Sequence, residues 1–147
     1  MTADDARWRH SVAPSLEEFE AMATAAYAGL PERFRTLCEG VVIHVEEFPD
    51  RNVVADMGLE SPFDILGLFT GVGLSQDSAV AETGRLPNTV HLYRRPILDY
   101  WAEHDESLGA IVTHVLVHEI GHHFGLSDED MERIEAAAGE TRGVKTP

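Results

Sequence analysis

The sequence has few of the features that link a protein to an oxidising compartment or to a membrane. It contains one cysteine, Cys38, so an internal disulfide is excluded and Cys38 is predicted to fill a position in the core. The N-terminus has no apolar signal segment, and no run approaches the roughly 20 apolar residues that span a bilayer. These features predict a cytoplasmic protein with no membrane partner.

Basic residues are also scarce. The chain has 11 Lys and Arg residues against 26 Asp and Glu residues, which gives a formal net charge of −15 at pH 7. A surface of this charge repels phosphate backbones and anionic lipid headgroups. A nucleic acid is therefore not an expected partner, and the charge also favours simple solubility.

The length and composition predict one domain over residues 1–147. A chain of 147 residues with 44% hydrophobic residues can bury a real core, whereas two domains would be cramped. Residues 1–13 are polar and unpatterned, and residues 139–147 form a short charged tail, so we expect both ends to fray. The ordered core is expected at about residues 14–138.

Apolar periodicity predicts an α+β chain with a small sheet flanked by helices. A capping box of Ser15 and Glu18 begins an amphipathic helix that ends near Gly29. Strands are predicted at residues 41–46, 65–69 and 89–93, and helices at residues 97–103, 108–124 and 128–138. The helix at residues 108–124 is apolar around most of its circumference, which is typical of a buried helix.

The string His118-Glu119-Ile120-Gly121-His122 lies on this buried helix. Histidines at positions i and i+4 point in directions about 40° apart, one turn from each other, so both imidazoles can reach one ion. Glu119 lies at the flank of the same face, where a carboxylate can take a proton from a water on the metal. The motif predicts His118 and His122 as zinc ligands and Glu119 as the general base.

Catalytic zinc usually has three protein ligands and one open position, so the motif requires a third ligand. Gly125 can end the helix in a left-handed conformation and turn the chain back, and Asp128 follows three residues later. Asp128 is therefore the predicted third ligand. Glu129 and Asp130 compete for this role, and a later acid such as Glu135 is a further alternative.

Other residues are candidates for contacts with the substrate. His114 lies one turn before His118 on the same helical face and can line the cleft, bind substrate or face water. Tyr93, Arg94 and His114 are candidates to stabilise the oxyanion, although Tyr93 and Arg94 can equally pack and solvate the end of a strand. His123 points about 100° away from His122 and is expected in the core with a backbone partner.

Three blocks of sequence resemble the minimal bacterial zincin-like metallopeptidases: residues 118–128, 65–71 and 92–97. The resemblance covers most of the chain. It implies a compact zincin-like fold, in which the metal-binding helix packs on a small mixed sheet, and a zinc site of two histidines and an aspartate. Larger relatives carry a methionine turn beneath the metal, but Met131 follows Asp128 too closely to be its equivalent.

The leading hypothesis is a zinc-dependent peptidase that acts on a peptide or protein substrate with Glu119 as general base. An extended peptide could add a strand along residues 65–69. A zinc-binding regulatory or interaction module with weak or no catalysis is the main alternative. A metal-dependent ribonuclease is a further alternative, which the net charge of −15 opposes.

Overall fold

The computed structural model describes residues 3–71 and 87–141. Within these ranges the chain forms seven α-helices and three strands, with a 3-10 turn at Pro62–Asp64. The helices are α1 (Ala3–Arg9), α2 (Leu16–Ala28), α3 (Glu32–Leu37), α4 (Arg51–Asp56), α5 (Arg94–Glu103), α6 (Leu108–His123) and α7 (Asp128–Thr141). The strands are β1 (Val42–Glu46), β2 (Gly67–Thr70) and β3 (Thr89–Tyr93). The predicted α+β class is confirmed, and residues 142–147 of the predicted tail lie outside the described residues.

The three strands form a small mixed sheet with the order β1-β3-β2. β1 and β3 are parallel, with Val42 opposite Thr89, whereas β2 runs antiparallel to β3, with Gly67 opposite Leu92. β2 is therefore an edge strand, and in the described part of the chain one of its sides has no strand partner.

Helix α6 is the central helix of the core and packs against the sheet, as expected for the metal-binding helix. It contacts β2 and β3 on one side and α2, α5 and α7 on others. Its buried residues are Leu108, Ile111, Val112, Thr113, Val115, Leu116, Val117, Ile120 and Gly121. Cys38 lies in the same core and is fully buried, as predicted. In the described part of the chain, no helix is long and apolar enough to cross a membrane.

Two glycines allow neighbouring elements to approach α6 closely. A Cβ atom at Gly67 would lie 2.6 Å from Val115 Cγ1 and 2.8 Å from the backbone oxygen of His91. A Cβ atom at Gly121 would lie 2.5 Å from the Sδ of Met131, a fully buried residue of α7. β2 and α7 therefore lie closer to α6 than a residue with a Cβ atom would allow without a shift of the neighbouring atoms.

Several boundaries differ from the sequence prediction. β2 begins at Gly67 rather than at residue 65, and α5 begins at Arg94 rather than at residue 97. Pro96 is the third residue of α5, where the missing N–H costs nothing because first-turn N–H groups have no partner within the helix. The short helices α1, α3 and α4 were not predicted. They have six or seven residues each, too few to show a clear helical period.

We expect Gly67→Ala to lower the free energy of unfolding by about 1–3 kcal/mol, because the added methyl group overpacks the contact between β2 and α6. Gly109→Ala is the matched control, since a Cβ atom there meets nothing within 4 Å. The control should leave stability unchanged or raise it by up to about 1 kcal/mol, since alanine favours the helix. Urea denaturation measures both values, and equal stability of the two variants would contradict the close packing.

Candidate metal centre

Helix α6 presents His118 and His122 from successive turns near its C-terminal end. The centroids of the two rings lie 5.7 Å apart, and the ring planes are nearly perpendicular. The side chain of His118 is 22% exposed and that of His122 is 59% exposed, so the pair lies at the surface of the core. The carbonyl groups at this end of α6 form the negative end of the helix dipole, which favours a nearby cation.

The chain reverses direction directly after the second histidine. The N–H group of Leu126 donates to the carbonyl of Gly121 at 2.9 Å, and the N–H group of Gly125 donates to the carbonyl of His122 at 3.1 Å. Gly125 has a φ of +78°, in the left-handed region that favours glycine. These bonds form a Schellman motif, which ends α6 as the sequence predicts.

Helix α7 begins immediately after this turn. The Ser127 hydroxyl accepts a hydrogen bond from the Asp130 N–H group at 3.0 Å and caps the helix. Asp128 is consequently the first residue of α7, and its Oδ1 lies 3.9 Å from Nε2 of His122. The Asp128 side chain is 87% exposed and is therefore free to rotate toward a metal ion bound beside His122.

A second group of metal-ligating side chains lies one turn earlier on α6. Oε2 of Glu135, on α7, is 3.0 Å from Nε2 of His118 and 3.0 Å from Nδ1 of His114. One ligand atom from each of these three residues lies within 4.8 Å of the others. The structure thus pairs His122 with Asp128, and it joins His118 to His114 and Glu135. The ligand assignment of His118, His122 and Asp128 stays a prediction.

The atoms of this group are suited to an ion. Nε2 of His118 and Oε2 of Glu135 are buried and face each other at 3.0 Å, although their geometry is not that of a hydrogen bond. Burial is the main cause that lowers the pKa of His118, and the nearby His114 lowers it further, while Glu135 raises it. A lowered pKa favours the neutral imidazole, which is the form that binds metals.

Glu119 lies on the sheet side of the histidines. A Cβ atom at Gly67 of β2 would be 3.5 Å from Glu119 Cγ, so this side chain lies against the edge strand. Burial raises the pKa of the Glu119 carboxyl, and the charge of protonated His122 acts in the opposite direction. A carboxylate with a raised pKa is a stronger base than an ordinary one, which suits proton transfer near neutral pH.

Tyr93 of β3 and Arg94 of α5 are two of the candidates to stabilise the oxyanion, and both contact other parts of the fold. Tyr93 is 1% exposed, and its ring stacks on that of His91 with centroids 6.3 Å apart. Nε of Arg94 donates to the carbonyl of Pro14 at 2.6 Å, and its Nη1 donates to Glu47 at 2.8 Å. Their roles toward a substrate stay predictions. His114, the third candidate, lies in the group with His118.

Two further expectations near the motif have different outcomes. His123 was expected in the core, but it is exposed, and its ring stacks on Phe69 of β2 with centroids 4.0 Å apart. The reason is that α6 ends at the edge of the sheet, so its last turn has β2 beside it and solvent beyond it. Met131 lies inside α7 rather than in a separate turn, as expected, and packs under Gly121.

The sequence predicts Glu135 as one alternative ligand, but it does not predict that Glu135 lies beside His114. The signal was the spacing of seven residues between Asp128 and Glu135, which places both acids on one face of α7. The direction of that face depends on the turn at Gly125, and spacing alone does not reveal it.

A family model described as zincin-like metallopeptidase matches residues 38–138, a region that contains all of the histidines and acids of the two groups. No curated protein matches the chain. Among solved structures, a conserved hypothetical protein from Thermus thermophilus is similar, with a TM-score of 0.50 and 23% identity over 75% of this chain and 94% of that one. At this identity the likeness concerns the fold alone. Because the family model matches well over half of the chain, the chain belongs to the zincin-like metallopeptidase family.

Proposed function

We propose that the chain is a zinc-dependent metallopeptidase that hydrolyses peptide bonds with Glu119 as the general base. The observation that carries the proposal is the position of Glu119 between the histidines of α6 and the edge strand β2. A base in that position has a metal-binding face on one side and a place for an extended substrate on the other. Membership of the metallopeptidase family supports the same reaction class.

His118, His122 and Asp128 would hold the zinc ion in this proposal. Two neutral imidazoles and one carboxylate are an accepted ligand set for catalytic zinc, and they leave a fourth position open. When bound, zinc supplies Lewis-acid chemistry that activates a water molecule and polarises the scissile carbonyl. The exposed Asp128 needs only a rotation of its side chain to approach a ligand position beside His122.

Glu119 moves the protons of the reaction. Its carboxylate accepts a proton from the attacking water and then gives that proton to the leaving amine, so it acts first as base and then as acid. The raised pKa of this carboxyl favours the first of these steps, because it makes the carboxylate a stronger base than that of an ordinary glutamate.

The edge of β2 provides a binding surface for an extended peptide. One side of Gly67–Thr70 pairs with β3, and the other has no strand partner among the described residues. A substrate can pair with these free backbone groups as an added strand, which would place its scissile bond near Glu119. Recognition of backbone groups predicts that peptide or protein substrates bind in extended form.

A zinc-binding module without peptidase activity is the second candidate. The observation in its favour is the division of the ligands, since His118 lies beside Glu135 while His122 lies beside Asp128. If zinc were held away from Glu119, the chain would still bind the metal. A water molecule activated there would not lie near the carboxylate that has to accept its proton. The two candidates differ in whether Glu119 is needed for cleavage.

We expect Glu119→Gln to bind zinc as tightly as the wild-type chain and to cleave peptides about 10²–10⁴-fold more slowly, which is the usual contribution of a general base. Zinc-loaded protein is incubated with a proteome-derived peptide library, and products are quantified by mass spectrometry. Glu132→Gln is the matched control, because this acid is exposed on α7 and lies outside both ligand groups. The control should cleave at the wild-type rate.

Two outcomes of that experiment would reject the assignment. Cleavage by Glu119→Gln at the wild-type rate would show that another group acts as the base. A zinc-loaded wild-type chain that cleaves no peptide in the library would favour the zinc-binding module.

We expect Asp128→Ala to weaken zinc affinity by at least the 10–100-fold that loss of an outer-shell partner typically causes. Glu129→Ala is the matched control, since Glu129 is the next residue of α7 and is also exposed. Competition with a chromophoric chelator measures both affinities. A zinc affinity of Asp128→Ala equal to that of the wild-type chain would remove Asp128 from the ligand set.

A further inference from the structure

We propose that His114, His118 and Glu135 form a second position for a divalent metal ion, adjacent to the predicted catalytic position. The two positions share His118, so zinc can be bound through Glu135 and His114 without His122 or Asp128. The inference rests on the proposed function only where it treats His118 as a ligand of both positions.

The distances from Glu135 to the two histidines are close to those of a zinc site. In a tetrahedral site with bonds of about 2.0–2.1 Å, neighbouring ligand atoms lie about 3.3–3.4 Å apart. Here Oε2 of Glu135 is 3.0 Å from both Nε2 of His118 and Nδ1 of His114. A small outward shift of Glu135 would bring its oxygen to the spacing that zinc requires from each histidine, and all three ligand atoms lie within 4.8 Å of one another.

The group also contains two buried polar atoms that face each other. Nε2 of His118 and Oε2 of Glu135 are buried and lie 3.0 Å apart, but their geometry is not that of a hydrogen bond. An ion bound by both atoms would replace this close approach with two coordination bonds, which is a second reason to assign a metal position here.

The architecture of the two helices produces two positions rather than one. His114, His118 and His122 lie on successive turns of α6 and form two overlapping pairs with i, i+4 spacing. The acids of α7 face these pairs separately, because Asp128 and Glu135 are seven residues apart and so about 10.5 Å apart along the helix. Asp128 lies beside His122 at the turn, and Glu135 lies beside the earlier pair.

An ion can reach this position from solvent. A cavity of about 460 Å³ is lined by both His114 and Glu135, with Tyr100, Ile111 and Val115 among its apolar walls. The His114 side chain is 55% exposed and forms the outer ligand of the group. The position is thus open on one side, as a site that exchanges its ion must be.

Sharing His118 makes the two positions alternatives. The nitrogen that faces Glu135 has one lone pair and binds one ion at a time. Zinc bound through Glu135 and His114 therefore draws His118 away from His122 and Asp128. The catalytic position then has two ligands instead of three.

The test removes the predicted catalytic ligands and asks whether zinc binding remains. The double variant His122→Ala/Asp128→Ala should still bind about one Zn²⁺ per chain, since a three-ligand set persists. Both substituted side chains are exposed, at 59% and 87%, so the fold should be retained. Equilibrium dialysis gives the stoichiometry, and the visible absorption of the Co²⁺-loaded protein reports tetrahedral ligation.

Addition of Glu135→Gln to the double variant should weaken Zn²⁺ binding at least about tenfold, as expected for loss of an important partner of a metal. Addition of Glu132→Gln, an exposed acid of the same helix, is the matched control and should change nothing. His114→Ala provides a second way to remove the position, because this half-exposed side chain does not support the core. Urea unfolding of each variant in the presence of chelator checks that the fold persists.

Loss of all Zn²⁺ binding in the folded double variant would overturn the inference. Binding that persists unchanged after both Glu135→Gln and His114→Ala would also overturn it. No peptide is used in these measurements, so failure of the peptidase proposal does not affect their outcome. Conversely, a chain that lacks this second position can still cleave peptides in a way that depends on Glu119. That result would leave the peptidase proposal intact.

Discussion

The close packing of α6 against β2 on one side and α7 on another is the constraint on which the site depends. Gly67 brings the edge strand to Val115, and Gly121 brings the buried Met131 of α7 beneath the histidine motif. Protein interiors are packed as densely as organic crystals, so a displacement at either contact moves the whole helix. His118, Glu119 and His122 would then move together relative to the acids of α7 and to the edge of the sheet.

The turn at Gly125 brings the candidate ligands of two helices, α6 and α7, next to each other. The Schellman motif and the Ser127 cap reverse the chain within a few residues, so the acidic face of α7 lies beside the histidine face of α6. A row of imidazoles opposite a row of carboxylates forms a region where a cation is favoured and anions are not. The net charge of −15 extends this preference to the whole molecule.

The strong periodic elements were predictable from the sequence because their signals are local. These signals are the capping box at Ser15, the alternation in β1 and the apolar circumference of α6. Each reflects which groups of one element face water and which face the core. The short helices, the start of α5 at Arg94 and the exposure of His123 were not predictable in this way. The short helices have too few residues to show a period, whereas the start of α5 and the exposure of His123 involve residues distant in sequence, such as Glu47 bonded to Arg95 and Phe69 beside His123.

The sequence by itself determined the chemistry available to this protein. The spacing of His118, Glu119 and His122 places two nitrogens and a carboxylate on one helical face wherever that helix lies, and Gly125 marks the end of the helix. Only the tertiary structure decided which acids face which histidines. The angle at which α7 returns is set by the packing of Met131 on Gly121 and by the hydrogen bonds of the turn, and it brings Glu135 to His118 and His114. Local spacing specifies which residues share a helical face, but the partners of that face depend on how two helices pack.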